Sequence, residues 1–411
     1  METPDKTGTR GGNLRREANM KIGVSLFQYF AGKVGGAGEA LAQALPRILF
    51  QMGPNDRLYL FGTDETLDTL WPLCADPRVT AIKFPMSRRA MHIRRVCDLV
   101  CPGLLTRTIL KQINNLKLDI IWYPQQSMFP FGIQAKSAVT VVDFQHDHLP
   151  GNFSRLERWV RRRKDRQFAT HADRTFSISK MTRDDLFRQH CADPARSKVL
   201  YLGGGRSELR PGATPEGRTE RPYIFYPANA YPHKNHPLLV RAFRQFKEQH
   251  PEQTAQLVMT GQRQPHLDEE LARCRPEHGI FHLGFVSAEE LDRLYRDCRA
   301  VFFPSLFEGF GIPIIEGMSY GKPIFCHRLP VFEELVGEKV RYFEATSEAP
   351  IITTLERIFD RDADLSVDLG AYEQVLRGLN WDNYGEHLWR EFQELAAEST
   401  SEQSDSLQRA A

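Results

Sequence analysis

The chain has 411 residues, of which 41% are hydrophobic and 26% charged. These are ordinary globular values, and the length is too great for one core, so two domains are expected. A net charge of +2 excludes binding to polyanions by bulk charge and leaves only local basic patches for such a role.

Residues 1–19 are polar and lack an apolar signal core, so they read as a disordered extension. The first ordered segment is MKIGVSLF, from Met20. A glycine-rich loop, AGKVGGAG, follows, and then the helical pattern EALAQALPRILF. Strand, glycine loop and helix open a βαβ unit. Further strands are expected at RLYLFG, VTAIKF, LDIIWY, SAVTVVDF, RTFSIS and KVLYLG, with helices such as RRAMHIRRVCDLV and RLERWVRRRKDRQFATHA between them. The pattern lapses over 206–221, rich in Pro, Gly and Arg, which reads as a linker. Alternation restarts with YIFYPA and runs through AQLVMTG, GIFHLGF, AVFFPS, PIFC and VRYF, separated by helices from about His236, near Pro265, at SAEELDRLYRDC, from Pro313 and at PVFEELVG.

The fold class is therefore α/β: two doubly wound, Rossmann-like domains, 20–205 and 222–380, facing across a cleft at the carboxyl ends of their strands. Residues 381–396 carry a stripe of Trp381, Tyr384, Leu388, Trp389, Phe392 and Leu395, which suits a helix packed on the body. Residues 397–411 read as a disordered tail. No run of about 18 apolar residues exists, so no spanning helix is expected. The cysteines, Cys74, Cys97, Cys101, Cys191, Cys274, Cys298 and Cys326, form no C-x-x-C pair and read as reduced thiols of a cytoplasmic protein.

The stretch SLFEGFGIPIIEG (Ser305–Gly317) places Glu308 and Glu316 around a Gly-Phe-Gly-Ile-Pro loop. A helix starting at Pro313 would put Glu316 at its fourth position. The N–H groups of Gly309, Phe310, Gly311 and Ile312 would then stand at a positive helix end suited to a diphosphate, with a carboxylate on either side for hydroxyls. The plainer alternative is a solvated loop charge and a glutamate that favours a helix start.

This segment resembles the E-x7-E motif of retaining glycosyltransferases of the GT-B fold, the family-4 or group 1 type. The resemblance runs from Met20 to about Ala397. YPANAYPHKNHPLLVRAF resembles the segment whose lysine contacts the donor diphosphate, which maps to Lys234. Ala228 and Asn229 stand where a second basic residue is common, with Arg206 or Arg263 as substitutes. Gly284, Phe285 and Val286 match the stretch beside the nucleobase. The glycine loop, with Gly35 and Gly36, resembles the one near donor sugar and acceptor; it is not a phosphate loop of the Walker type, because Val34 follows Lys33. VVDFQHDHLPGNFS resembles the region near the reacting carbon. Asp143 aligns with that motif's aspartate and Val142 stands where many members have histidine, so Asp143 and His146 share the expectation. A metal bound by Asp143, His146, Asp147 and His148 fits no standard spacing, and none is expected. In FSISKMTRDDL, Ser179 reads chiefly as a helix cap.

What the resemblance implies is transfer of a mannose- or glucose-like hexosyl group, with retention, in bacterial cell-surface polysaccharide synthesis. The donor would be a GDP- or UDP-linked sugar, the acceptor a hydroxyl of a glycan or lipid-linked glycan, and no cofactor would be needed. Lys234 and the loop amides would stabilise the leaving diphosphate, Glu308 would hold donor-sugar hydroxyls, and Glu316 the ribose diol. The basic helices in the first domain, RLERWVRRRKDRQF among them, suit either a solvated face or peripheral contact with the inner face of an anionic membrane. No nucleic acid is expected. The alternatives are a non-catalytic nucleotide-sugar-binding protein or a nucleotide-sugar epimerase on the same fold.

Overall fold

The structure is a computed structural model that describes residues 19–29, 35–205 and 221–410. The expected extension and linker therefore lie outside the described residues, save for Asn19 and Arg221, as does the part of the glycine loop with Lys33.

The first half contains β1 (Lys21–Ser25), α1 (Gly35–Gln51), β2 (Arg57–Gly62), α2 (Asp64–Asp68) and β3 (Val79–Lys83). It continues with α3 (Arg88–Val100), α4 (Arg107–Asn114), β4 (Ile120–Tyr123), β5 (Lys136–Val141) and α5 (Gln145–His148). It ends with α6 (Arg155–His171), β6 (Arg174–Ser177), α7 (Lys180–His190) and β7 (Ser197–Val199). The second half contains β8 (Tyr223–Pro227), α8 (His236–Gln249), β9 (Gln256–Thr260), α9 (Pro265–Leu271) and β10 (Ile280–His282). Then come α10 (Ala288–Asp297), β11 (Ala300–Phe303), α11 (Ile312–Ser319), β12 (Ile324–His327), α12 (Pro330–Leu335) and β13 (Arg341–Phe343). Three helices close the chain: α13 (Glu348–Phe359), α14 (Leu369–Gly378) and α15 (Trp381–Ala410).

Both sheets are parallel. Their strand orders are β3-β2-β1-β4-β5-β6-β7 and β10-β9-β8-β11-β12-β13. Central strands such as β4 (IIWY) and β11 (AVFF) are buried at every position, as sheets covered on both faces require. The strand order reverses between β1 and β4 in one sheet and between β8 and β11 in the other. A doubly wound sheet opens a crevice at that point, because successive crossovers leave in opposite directions.

Several boundaries differ from the expected ones. α1 begins at Gly35 rather than after the glycine loop, and α11 at Ile312, with Pro313 inside its first turn. The helix expected at RRAMHIRRVCDLV is α3 with the same bounds, and Pro102 and a left-handed Gly103 (φ 79°) separate it from α4. α13 and α14 had not been expected, although Ile351, Leu355 and Ile358 are buried at helical spacing. The helix α15 runs on to Ala410 through the stretch expected as a disordered tail. Residues 397–410 contain no Gly or Pro to end it, and Glu398 pairs with Arg174 at 2.5 Å.

All six stripe residues of α15 are buried. They carry the C-terminal helix back onto the first half, against α1, β4 and β5. Phe392 is fully buried, 5.8 Å from Trp122 and 6.3 Å from Phe176, ring centre to ring centre. Phe392→Ala should therefore cost about 3–5 kcal/mol, read as a lower denaturation midpoint; an unchanged midpoint would mean that α15 does not hold the two halves together.

Candidate active site

Two loops at the second switch point hold one ion pair. The loop after β8 is tied by the Tyr226 hydroxyl, which donates to the carbonyl of Lys234 at 2.7 Å and lies 3.1 Å from Ser305 Oγ. The amide of Leu306 donates to the carbonyl of His233 at 2.8 Å. Asn235 takes a left-handed conformation (φ 61°) and donates from Nδ2 to the carbonyl of Ala345 at 2.8 Å. These bonds aim Lys234 Nζ at Glu308 Oε1, 2.5 Å away. Glu308 is only 8% exposed, so the ammonium is the partner that makes burial of its charge tolerable. His233, beside it, is pushed down to about 3 by burial, with the Lys234 charge adding, and is neutral at ordinary pH.

The glycines between the two glutamates answer to close contacts. A Cβ on Gly309 would lie 2.3 Å from the carbonyl oxygen of Val142, in the other half of the molecule. A Cβ on Gly311 would lie 2.5 Å from the Phe332 ring, and Gly311 is left-handed (φ 101°) as the N-cap of α11. Phe310 and Ile312 are buried. The first N–H groups of α11 have no intrahelical acceptor, so this end of the helix faces the cleft with its positive pole.

Glu316 lies in the second turn of α11, one position later than expected. The Tyr295 hydroxyl donates to its Oε2 at 2.6 Å. Burial pushes the Glu316 carboxyl up to about 6; the Tyr295 hydrogen bond opposes this, and the Glu39 carboxylate from α1 adds to it. Neither Tyr295 nor Glu39 stands out in the sequence as a site residue, because each meets Glu316 only through the packing of α10 and α1 around it.

A cavity of about 710 Å³ joins these groups. Lys234, Phe285, Val286, Glu308, the Gly309–Ile312 loop and Glu316 line it from the second half, and Gly36 and Asp143 from the first. Gly35 precedes Gly36 as the first residue of α1. His146 departs from expectation. It does not line the cavity: it is 1% exposed and turned into the first half, among Asp147, Asp165 and His190. The reason is local. Asp143 Oδ1 accepts from the amide of Gln145, starting the single turn of α5, and that turn carries residue 146 to the opposite side.

Asn229, in place of a basic residue, accepts from the amide of Gln262 through Oδ1 at 2.8 Å and shapes the wall. Arg263 is paired with Asp268 at 2.6 Å and lies off the cavity; Arg206 lies outside the described residues. The cation that the sequence reading missed is Arg161 of α6, which lines the cavity from the first half, its guanidinium 4.6 Å over the Phe153 ring. In the sequence it is one arginine of a basic helix. Ser179 caps α7, accepting from the amide of Thr182 at 3.1 Å, and takes no part in the cavity.

Fold and cavity together define the two-domain α/β architecture of GT-B glycosyltransferases. Residues 214–372 match the family model described as glycosyl transferases group 1. O-antigen chain mannosyltransferase B of Escherichia coli is 34% identical over 119 residues, 28% of this chain and 31% of that protein. O-antigen chain mannosyltransferase RfbU of Salmonella typhimurium is 22% identical over 212 residues, 51% of this chain and 57% of that one. These matches span less than two thirds of either relative's length. Among solved structures, Anabaena HepE in complex with UDP and glucose superposes with a TM-score of 0.67 at 17% identity, covering 91% of this chain and 99% of that one.

The raised Glu316 pKa has a consequence for stability. A carboxyl that binds its proton more tightly when folded weakens the fold as pH rises from its ordinary value of 4.5 through about 6. Glu316→Gln keeps an acceptor for Tyr295 and removes the charge. The ligand-free variant should be more stable than the parent at pH 7.5 by on the order of 1–2 kcal/mol, and equal to it below pH 4.5. Melting curves across that range test this; a variant less stable at pH 7.5 would refute it.

Proposed function

We propose that the protein is a retaining glycosyltransferase. It moves a hexosyl group, mannose or a glucose-like sugar, from a GDP- or UDP-linked donor to a hydroxyl of a glycan or lipid-linked acceptor. The setting is bacterial cell-surface polysaccharide synthesis. The observation that carries this reading is the buried Lys234–Glu308 pair at the sheet's switch point, beside the free N-terminus of α11. It is supported by the match to group 1 glycosyl transferases and by relatives named as O-antigen mannosyltransferases.

On donor binding the diphosphate takes Lys234 and the Gly309–Ile312 amides, and Glu308 exchanges its ammonium for donor-sugar hydroxyls. Glu316 accepts from the ribose diol, while Phe285 and Val286 flank the base. As the bond between the anomeric carbon and the phosphate oxygen breaks, charge grows on the diphosphate, and these preset donors lower the barrier. The acceptor oxygen bonds to the same face of that carbon, and its proton passes to the leaving phosphate. Asp143 stands on the acceptor side of the cleft. Closure of the two halves excludes water and so limits donor hydrolysis.

The first half also suits peripheral contact with an anionic membrane. On α6, Leu156 and Trp159 are exposed (70% and 50%) among Arg155, Arg158, Arg162 and Arg163, and Ile93, Val100, Leu104 and Leu105 are exposed on and after the adjacent α3. Apolar side chains interleaved with arginines match a lipid surface of negative charge. Among the described residues no helix is long and apolar enough to cross a membrane, and all seven cysteines are free.

GDP-mannose or UDP-glucose should raise the melting temperature of the parent protein and, with a glycan acceptor, yield free GDP or UDP and an extended glycan. Lys234→Ala should abolish the thermal shift and lower turnover by about 10²–10³-fold. Transfer that survives in both Lys234→Ala and Glu308→Ala would place the donor elsewhere, and an epimerised nucleotide sugar in place of transfer would sink the reading.

A further inference from the structure

The first half contains a second cluster of functional groups, separate from the cleft. His146 of α5, Asp165 of α6 and His190 of α7 each offer one ligand atom, all within 4.8 Å of one another. Asp147 joins them. His146 Nε2 lies 3.2 Å from Asp165 Oδ2 and 3.4 Å from Asp147 Oδ2, and His190 Nε2 lies 3.4 Å from the same Asp147 Oδ2. Neither histidine ring is more than 4% exposed, and Asp147 and Asp165 are at 5% and 0%.

Buried polar atoms are nearly always hydrogen-bonded. Here Nε2 of His146, Nε2 of His190, Oδ2 of Asp147 and Oδ2 of Asp165 all lack a hydrogen bond of normal geometry, as does Nδ1 of His146. The atoms of His146, Asp165 and His190 lie close enough together to meet at a single ion, and Asp147 Oδ2 borders both histidines. With metal–ligand bonds of about 2.0–2.1 Å, the edges of a tetrahedron are about 3.3–3.4 Å; the three contacts that His146 and His190 make with the two aspartates, at 3.2–3.4 Å, fall at that spacing and are longer than a charged hydrogen bond.

The surroundings fit the same reading. Each aspartate's other oxygen is already held: Asp147 Oδ1 by Arg162 at 2.8 Å, and Asp165 Oδ1 by Lys164 at 3.4 Å and Gln126 Nε2 at 3.3 Å. Such outer partners turn the Oδ2 atoms inward, as a second shell does around a metal. The Phe144 ring stacks on His190 at 4.7 Å and supplies an apolar wall. Asp147 and His190 also line a surface pocket of about 550 Å³, which gives an entry path.

We propose that His146, Asp165 and His190, with Asp147 moving in beside the two histidines as fourth ligand, form a closed, structural site for a divalent transition metal of the zinc class. Two imidazoles and two carboxylates suit Zn²⁺, and Co²⁺ as its spectroscopic substitute. The ion would tie α5, α6 and α7 together and fix the segment from Val142 to His148, whose other side faces the Gly309 loop. Its role is positional and does not depend on the reaction carried out in the cleft.

The test uses the full, untagged chain. Purified protein should hold about one Zn²⁺ after exhaustive dialysis. Stripping with a strong chelator should lower the melting temperature by about 5–10 °C, and Zn²⁺ or Co²⁺ should restore it. The Co²⁺ form should show the strong visible bands of a tetrahedral site without the near-ultraviolet thiolate bands that cysteine ligands would add. His190→Ala should lose the stoichiometric metal. If that variant fails to fold, the parent's cobalt spectrum and chelator response still decide the matter. A parent protein that melts identically with chelator and with Zn²⁺, and gives no tetrahedral cobalt spectrum, overturns the proposal and leaves His146 as a polar bridge between two carboxylates.

Discussion

The candidate site depends on one buried ion pair, Lys234 with Glu308. Neither group would be stable there alone, because an isolated buried charge is costly and removal of one partner leaves the other uncompensated. The pair therefore constrains both loops at once. The Tyr226 hydroxyl, the Leu306 amide and the Asn235 side chain all join the two loops or fix their ends. The result is a cation and a carboxylate held ready at a positive helix end. A ligand that brings its own anion and its own hydroxyls can replace each partner for the other without leaving either charge bare.

The pair stands where it does because of topology. Both halves are wound in the same order, and each sheet reverses beside its first strand. Loops leaving β8 and β11 diverge there, and these are the loops that carry Lys234 and Glu308. Near the site the halves meet through backbone as well as side chains. Gly309 lies flat against the carbonyl of Val142, and Glu334 of α12 accepts from the amides of Lys180 and Met181 at the start of α7, at 2.6 and 3.0 Å. Helix α15 makes the larger connection, far along the chain from the site. A surface of backbone and glycine at the mouth, with an apolar anchor behind, suits two bodies that must approach closely and still move.

Much of this was legible in the sequence, for physical reasons that differ by residue. The strands were legible because fully buried parallel strands are continuous apolar runs with helices between. The Glu308–Glu316 segment was legible because glycine, proline and paired carboxylates in so short a space have few structural uses. The α15 stripe was legible from its spacing. What stayed hidden depends on contacts between distant segments. Arg161 reaches the cavity from a helix that otherwise looks like a basic surface, Glu39 acts on Glu316 only across the cleft, and Tyr295 matters only because α10 lies beside α11. The one-residue shift of α11 is also tertiary: Gly311 can cap the helix in a left-handed conformation because the Phe332 ring occupies the space a side chain would need.

The separation of Asp143 from His146 shows how three residues can divide two tasks. Residues at that spacing on an extended strand would point to opposite faces, and on a long helix to nearly the same one. Here the strand ends, Asp143 turns the chain by accepting from the amide of Gln145, and α5 lasts a single turn. Asp143 is left on the cleft wall and His146 is driven inward against Asp165. Gln126 reinforces the division. Its Oε1 accepts from the amides of Val142 and Asp143 at 2.7 and 3.0 Å, while its Nε2 donates to the carbonyl of Asp143 and reaches Asp165. The wall that faces the Gly309 loop is thus fixed from behind by the buried histidine–aspartate cluster.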